Sequence, residues 1–167
     1  MTWWDQFAQT AAAEFSDVPD VVQFTRLTLR LLVAALLGGL LGLQRERHGK
    51  DAGVRTHMLV ALGAALFVLV PQQAGMEAND LSRVIQGVVA GVGFLCAGTI
   101  LKSSDDQVRG LTTAAGIWLT AAIGIAAGLG REMTAALSTV LALAILSMEG
   151  PLRRLAGRRS DGPADRR

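Results

Sequence analysis

The sequence LTTAAGIWLTAAIGIAAGL, from Leu111 to Leu129, contains no charged side chain. An α-helix rises about 1.5 Å per residue, so about 20 apolar residues cross the ~30 Å hydrocarbon core of a bilayer. Four further apolar stretches share this character, and the shorter ones reach the required length with their flanking residues. They are Phe24–Leu43, Thr56–Val70, Val84–Leu101 and Met133–Met148. The pattern predicts an all-α fold: a polytopic membrane helical bundle with five transmembrane helices.

The distribution of charge supports this prediction more strongly than the composition does. A chain that is 51% hydrophobic could form an ordinary soluble domain, but here nearly all charged residues lie in short gaps between the apolar stretches. We therefore expect one transmembrane domain over residues 24–150. Residues 1–23 carry four carboxylates and no Lys or Arg, the reverse of a signal peptide, and are expected to form an outer interfacial segment. Residues 151–167 are expected to form a disordered, Arg-rich tail.

Lys and Arg residues fall mainly on one side of the predicted membrane. Four lie in the first loop, two in the third loop and six in the tail, out of 16 in the chain. Because basic residues concentrate in cytoplasmic segments, the N-terminus is predicted outside and the C-terminus in the cytoplasm. The net charge of +2 is too weak to suggest nucleic acid as a partner.

The sequence contains no recognisable enzyme motif. It has no Gly-rich phosphate loop, no nucleophile with a positioned base and no clustered metal ligands, and His48 and His57 are not at a convincing ligand spacing. The single cysteine, Cys96, cannot form an intrachain disulfide. We therefore expect a protein that is not an enzyme and has no resident cofactor.

One group of polar residues is predicted at the outer membrane face. It comprises Arg30, Asp80, Arg83 and Gln86. Arg30 either extends to the lipid headgroups or pairs with an acidic residue such as Asp80. For Asp80 the alternatives are capping of the third apolar helix, together with Asn79, or contact with an ion, including Mg²⁺.

A second polar group is predicted at the cytoplasmic face. It comprises Glu46, Arg55, Thr56, Lys102 and Arg109. Glu46 is an unusual residue in a loop whose only purpose is to stay in the cytoplasm, and it could pair with Lys102 or Arg109. The alternative is a solvated cluster of charges.

Small residues recur at helical spacing inside the apolar stretches. The positions expected to pack helices closely are Gly38, Gly42, Gly87, Gly91, Gly98, Gly124 and Gly128. The small faces of the third and fourth stretches could pack against each other, against a second copy in a homodimer, or along a narrow pathway.

Four long stretches together resemble the MgtC/SapB family of bacterial inner-membrane proteins. They are Gly42–Arg47, Ala52–Phe67, Asp80–Lys102 and Val108–Gly124, and the resemblance covers about residues 26–150. The positions that match the polar motif of the family are Glu46, Arg55, Thr56, Asp80, Arg83, Gln86, Lys102, Arg109, Thr112 and Thr113. Cys96 and Gly116 depart mildly from the family pattern. Many members also carry a cytoplasmic domain after the fifth span, where this chain has its Arg-rich tail.

The resemblance implies a helical domain in the bacterial inner membrane, with a role in magnesium homeostasis, stress adaptation or virulence. The founding member of the family is described as a regulator that restrains the F-type ATP synthase. The leading hypothesis is therefore a regulator of Mg²⁺ and proton homeostasis that acts through a membrane transporter or an F-type ATP synthase subunit. The alternatives are a small Mg²⁺ or proton transporter or channel, and a structural module that binds partners. Since Mg²⁺ prefers carboxylate ligands and no carboxylate lies at mid-depth, a dehydrated Mg²⁺ path is disfavoured.

Overall fold

The computed structural model describes residues 2–14, 20–102 and 108–148, with the backbone alone for residues 101 and 102. Over these residues the chain forms six helices and one pair of short strands. The helices are α1 (Trp3–Glu14), α2 (Val21–Arg47), α3 (Val54–Gln73), α4 (Ala78–Thr99), α5 (Leu111–Gly128) and α6 (Glu132–Ser147). Strands β1 (Leu101–Lys102) and β2 (Val108–Arg109) pair antiparallel between α4 and α5. The predicted helical membrane bundle is confirmed, whereas the short hairpin was not predicted.

Helices α2 to α5 are each long and apolar enough to cross a membrane, so the chain is a multi-pass membrane protein. Helix α6 has 16 residues and rises about 24 Å, which is short of a ~30 Å hydrocarbon core. The count of five spans and the orientation of the termini therefore stay predictions. The predicted disordered tail, residues 151–167, lies outside the described residues.

Helix α5 packs on each of the other bundle helices, α2, α3, α4 and α6, and α3 lies between α2 and α5. Helix α4 packs on α5 and α3, and α6 packs on α2 and α5. Helix α1 buries none of its residues, and its Trp3 and Trp4 rings stack on each other in an exposed position. The N-terminal segment thus contains a short exposed helix, and its contact with the membrane surface stays a prediction.

Glycines allow α3 to approach its two neighbours closely. A Cβ atom added to Gly38 of α2 would lie 2.6 Å from the carbonyl oxygen of His57 and 2.8 Å from Ala61 Cβ. Gly124 of α5 lies against the backbone of the same Ala61, and Gly128 against Ala65. Because lipid tails are as apolar as the helices, this close packing rather than the hydrophobic effect holds the centre together.

The glycines of α4 behave differently. Of the three alternatives given for them, the first, packing of the small faces of α4 and α5 against each other, is wrong. The small faces of α4 and α5 do not pack against each other, because the glycines of α5 face α3. A Cβ atom at Gly87, Gly91 or Gly98 would meet no neighbour within 4 Å. Helix α4 enters the core through Val88 and Val92 instead.

The glycine face of α4 borders an apolar groove between α3 and α4. The groove has a volume of about 560 Å³, and Leu59, Gly87 and Gly91 are among its lining residues. A second copy in this groove stays a prediction.

Helix α4 begins at Ala78, slightly earlier than a cap at Asn79 or Asp80 would place it, and this changes the position of Asp80. Its N-cap residue is Glu77, whose side chain makes no capping hydrogen bond. Asp80 therefore lies inside the first turn and does not cap the helix. Its carboxylate still lies near the positive end of the helix dipole, where a negative charge is favourable.

Candidate functional site

Polar side chains gather at both ends of the bundle. The outer cluster consists of Arg30, Gln72 and Glu132, and the inner cluster of Arg45, His57, Thr113 and Thr120. Between them lies an apolar layer that includes Ala34, Ala61, Ala65, Ile123 and Ala127.

In the outer cluster, Arg30 of α2 contacts three other helices. Its Nη1 atom donates to Gln72 Oε1 at 2.9 Å and to the carbonyl oxygen of Gly128 at 3.1 Å. Its Nε atom lies 3.9 Å from Glu132 Oε1. The Gly128 carbonyl ends α5, where the last carbonyls lack partners within the helix, so Arg30 also caps that end. Gly130 lies directly against the guanidinium, and its φ of 75° is a left-handed conformation that favours glycine.

These contacts correct the predicted pairing of Arg30 with Asp80. The partners of Arg30 come from α3, α5 and α6, because α4 packs on the other side of the bundle on α5 and α3. Arg30 bonds within the bundle rather than extending to the headgroups. Asp80, Arg83 and Gln86 are all exposed on α4.

Asp80 therefore stands apart from the outer cluster. No ion pair joins it to Arg83 among the described residues. The same part of the chain gathers no group of three His, Cys, Asp or Glu side chains that could hold a metal ion. Binding of Mg²⁺ at Asp80 stays a prediction.

In the inner cluster, Arg45 is buried near the end of α2 with only 1% of its surface exposed. Its Nη2 atom lies 3.4 Å from Thr113 Oγ1 in the first turn of α5. Burial of a cation is costly unless it is hydrogen-bonded, so contacts of this kind stabilise Arg45 in the interior.

His57, near the start of α3, is buried beside Thr120 of α5. Its Nδ1 atom lies 2.7 Å from Thr120 Oγ1, which in turn lies 2.8 Å from the carbonyl oxygen of Gly116. The hydroxyl of Thr120 therefore joins the His57 ring of α3 to the backbone of α5. The ring lines a small, mainly apolar cavity of about 160 Å³.

Glu46 caps the start of helix α3. Its Oε2 atom accepts the backbone N–H of Val54 at 3.0 Å, at the start of α3. The N-cap residue there is Gly53, which has no side chain to perform this function. No ion pair with Arg109 occurs among the described residues.

The other predicted cytoplasmic residues are placed separately. Arg55 and Thr56 are exposed on the first turn of α3. Arg109 lines a polar cavity at the start of α5, as does Thr113. The side chain of Lys102 lies outside the described residues.

Sequence reasoning missed Arg45 and His57 as buried residues, although a signal was present. Arg45 follows Gly38 and Gly42 at helical spacing, and His57 precedes Ala61 and Ala65 at the same spacing. Each belongs to a face of small residues that packs closely.

Comparison with known proteins places the chain among bacterial membrane proteins. The model of the MgtC family matches residues 31–155. Protein SrpB of Synechococcus elongatus is 48% identical over 78% of each chain. "Putative magnesium transporter YhiD" of Escherichia coli K12 is 41% identical over 72% of this chain and 59% of its own length. Protein MgtC of Brucella abortus is 43% identical over 71% of this chain and 49% of its own length. No solved structure matches.

Proposed function

We propose that this chain, which belongs to the MgtC family, is a non-enzymatic regulator of Mg²⁺ and proton homeostasis in the bacterial inner membrane. In this proposal it acts by binding other membrane proteins, such as a transporter or an F-type ATP synthase subunit. Relatives with the names MgtC and "Putative magnesium transporter YhiD" support a function related to Mg²⁺. The chain spans only 49% and 59% of these two relatives, so their whole activities are not transferred to it.

The observation that carries the proposal is the closed centre of the bundle. Gly38 and Gly124 both bring their helices into contact with Ala61, and the surrounding layer consists of apolar residues. Mg²⁺ gives up its water reluctantly and usually binds through carboxylates. A centre built from Gly–Ala contacts offers neither the width for a hydrated ion nor the ligands for a dehydrated one.

The buried hydroxyls near this layer do not supply a route either. Thr120 and Thr139 are both almost fully buried, and each donates to a carbonyl oxygen of its own helix. Hydroxyls bonded in this way satisfy the interior rather than line a hydrated path.

The second candidate is a transporter. The relative named "Putative magnesium transporter YhiD" favours it. A path in a single copy would require the α2–α3–α5 contacts to open. A path between copies would run along the apolar groove of α3 and α4, which presents no charged side chain.

Reconstitution separates the two candidates. The full chain is placed in liposomes with Mg²⁺- and pH-sensitive dyes, and the same gene is tested for growth of a bacterial strain that lacks its own MgtC-family protein. A regulator restores growth at low Mg²⁺ but conducts no more than empty vesicles. Flux from vesicles that hold folded protein would refute the proposal, and its loss in Asp80→Asn would place Asp80 on a pathway.

A further inference from the structure

Helix α1 carries a cluster of exposed aromatic side chains. Trp3, Trp4 and Phe7 are 63%, 61% and 61% exposed, and α1 buries none of its residues. The rings of Trp3 and Trp4 stack with their centroids 3.8 Å apart, and Trp4 meets Phe7 edge to face at 6.3 Å. An exposed group of large apolar side chains is typical of an interaction surface. These three residues are called the aromatic face below.

Polar residues occupy the opposite side of α1. At 3.6 residues per turn, the aromatic face and Ala11 fall within an arc of about 100°, and Asp5 and Gln9 project roughly the opposite way. The Asp5 carboxylate accepts hydrogen bonds from the backbone N–H and the hydroxyl of Thr2, both at 2.8 Å, at the start of the helix. Helix α1 is therefore amphipathic, which is typical of a helix that lies in a membrane–water interface.

The chain keeps α1 close to the end of a membrane-crossing helix. Glu14 and Val21 are seven residues apart in the sequence, a stretch that spans at most about 25 Å. Asp20 caps α2 with extended backbone, and its Oδ1 atom accepts the backbone N–H of Gln23 at 2.6 Å. The chain therefore leaves the axis of α2 at Asp20. Helix α1 is a separate helix within reach of the membrane surface.

The charge of the N-terminal segment determines which kind of lipid contact is available. Residues 1–23 contain four carboxylates and no Lys or Arg, so attraction to anionic headgroups cannot hold α1 on the membrane. Trp side chains prefer the interface for a different reason, because the ring body is apolar and its N–H group is polar. Burial of aromatic surface is therefore the attraction that α1 can supply.

We propose that α1 is an interfacial anchor, whose aromatic face enters the headgroup region of the bilayer beside α2. The helix lies along the membrane surface, with Asp5 and Gln9 towards water. Glu14 lies about 10 Å along the axis from Phe7, so the N-terminal half of α1 enters the bilayer more deeply than its C-terminal end. The anchor does not depend on whether the protein regulates or transports.

The length of α2 gives this anchor a function. Helix α2 has 27 residues and rises about 40 Å, more than the ~30 Å hydrocarbon core. Length alone therefore does not fix which part of α2 lies in the core, and a helix that is too long can tilt or shift. An interfacial helix close to its first turn fixes the depth at which α2 enters the bilayer.

The first test uses the full chain in phosphatidylcholine nanodiscs. Trp118→Phe leaves Trp3 and Trp4 as the fluorescent tryptophans, because the chain contains 3 in all. Lipids with a nitroxide at a shallow or a deep acyl position quench tryptophans that contact them, and acrylamide quenches those in water. We expect the shallow nitroxide to quench more strongly than the deep one, and acrylamide to quench less than it quenches free tryptophan. Phosphatidylglycerol in the nanodisc should not increase the lipid quenching.

The second test compares the two sides of α1 with spin labels in a Cys96→Ala background. Ala11→Cys places the label beside the aromatic face, and Gln9→Cys places a matched label on the polar side. We expect oxygen, which concentrates in lipid, to relax the label at position 11 more strongly. A water-soluble nickel chelate should instead relax the label at position 9. Replacing the aromatic face by serine should move the first label into water and leave the second unchanged.

Quenching by shallow lipids, together with different environments for the two labels, supports the anchor. Strong acrylamide quenching without lipid quenching would overturn it, because α1 would then lie in water. Tryptophans shielded from both quenchers would overturn it in favour of a protein contact. Lipid quenching that requires phosphatidylglycerol, or equal environments for the two labels, would overturn the assignment of the contact to the aromatic face.

Discussion

Replacing Gly124 by alanine tests the close contact of α5 with α3. The added Cβ atom would lie 2.8 Å from Ala61 Cα and 2.9 Å from Ala61 C, whereas ordinary contacts begin near 3.4 Å. The two helices must therefore separate by roughly half an ångström or more, which forfeits a quarter to a half of each dispersion contact. Because the opposing atoms belong to the backbone, no rotamer change relieves the clash.

The cost of this overpacking is about 1–3 kcal/mol in the free energy of unfolding. Alanine also gains about 1 kcal/mol over glycine in helix propensity, which would obscure the effect in a single variant. Gly93→Ala removes this ambiguity, because Gly93 lies in α4 and a Cβ atom there meets no neighbour. We expect the two variants to differ by about 1–3 kcal/mol, since the propensity gain is common to both.

The measurement is equilibrium unfolding in mixed dodecylmaltoside and SDS micelles, followed by circular dichroism at low protein concentration. Gly124→Ala should unfold at a lower SDS fraction than wild type or Gly93→Ala. Equal midpoints for the two variants would refute the assignment of Gly124 to a tight helix contact and would require a different packing of α3 and α5.

Three further predictions concern single hydrogen bonds. Thr120→Val should cost about 1–3 kcal/mol because it removes the hydroxyl that bonds His57 Nδ1, whereas Thr139→Val, whose hydroxyl bonds only its own helix, should cost less. Equilibrium unfolding in mixed micelles measures both variants, and equal losses would contradict a stabilising bond between Thr120 and His57. Glu46→Ala should destabilise the start of α3 by about 0.5–2 kcal/mol, seen as faster amide exchange at its first turn, and unchanged exchange would exclude the cap. Hydrogen bonds from the backbone and side chain of Thr2 lower the pKa of Asp5 below its ordinary value of 3.8. They therefore stabilise the start of α1 above that pH, and this support is lost as the pH falls through the lowered pKa. Amide hydrogen exchange in α1 that does not accelerate in strong acid would contradict this prediction.

The sequence was sufficient to predict the membrane helices, because length and hydropathy are local properties. The start of α4 was predicted to within a few residues, since Asn79 and Asp80 are typical capping residues, but the actual N-cap is Glu77. The hairpin of β1 and β2 was also missed, since two residues per strand are too short to show an alternating pattern.

The site was harder to predict because it depends on which helices meet. The glycines of α5 were visible in the sequence, but nothing local indicates that they face α3 rather than α4. Arg30 was correctly identified as a notable residue, yet its partners Gln72 and Glu132 come from distant segments. Arg45 was missed because charged residues were interpreted as loop residues. It lies near the end of α2 and is buried in the bundle.

Helix α3 links the two polar clusters. Gln72 near one end of this helix bonds Arg30, and His57 near the other end lies within hydrogen-bond distance of Thr120. Gly38 of α2 and Gly124 of α5 both contact Ala61, between these two residues. A displacement of α3 along its axis would therefore strain hydrogen bonds at both ends of the bundle together.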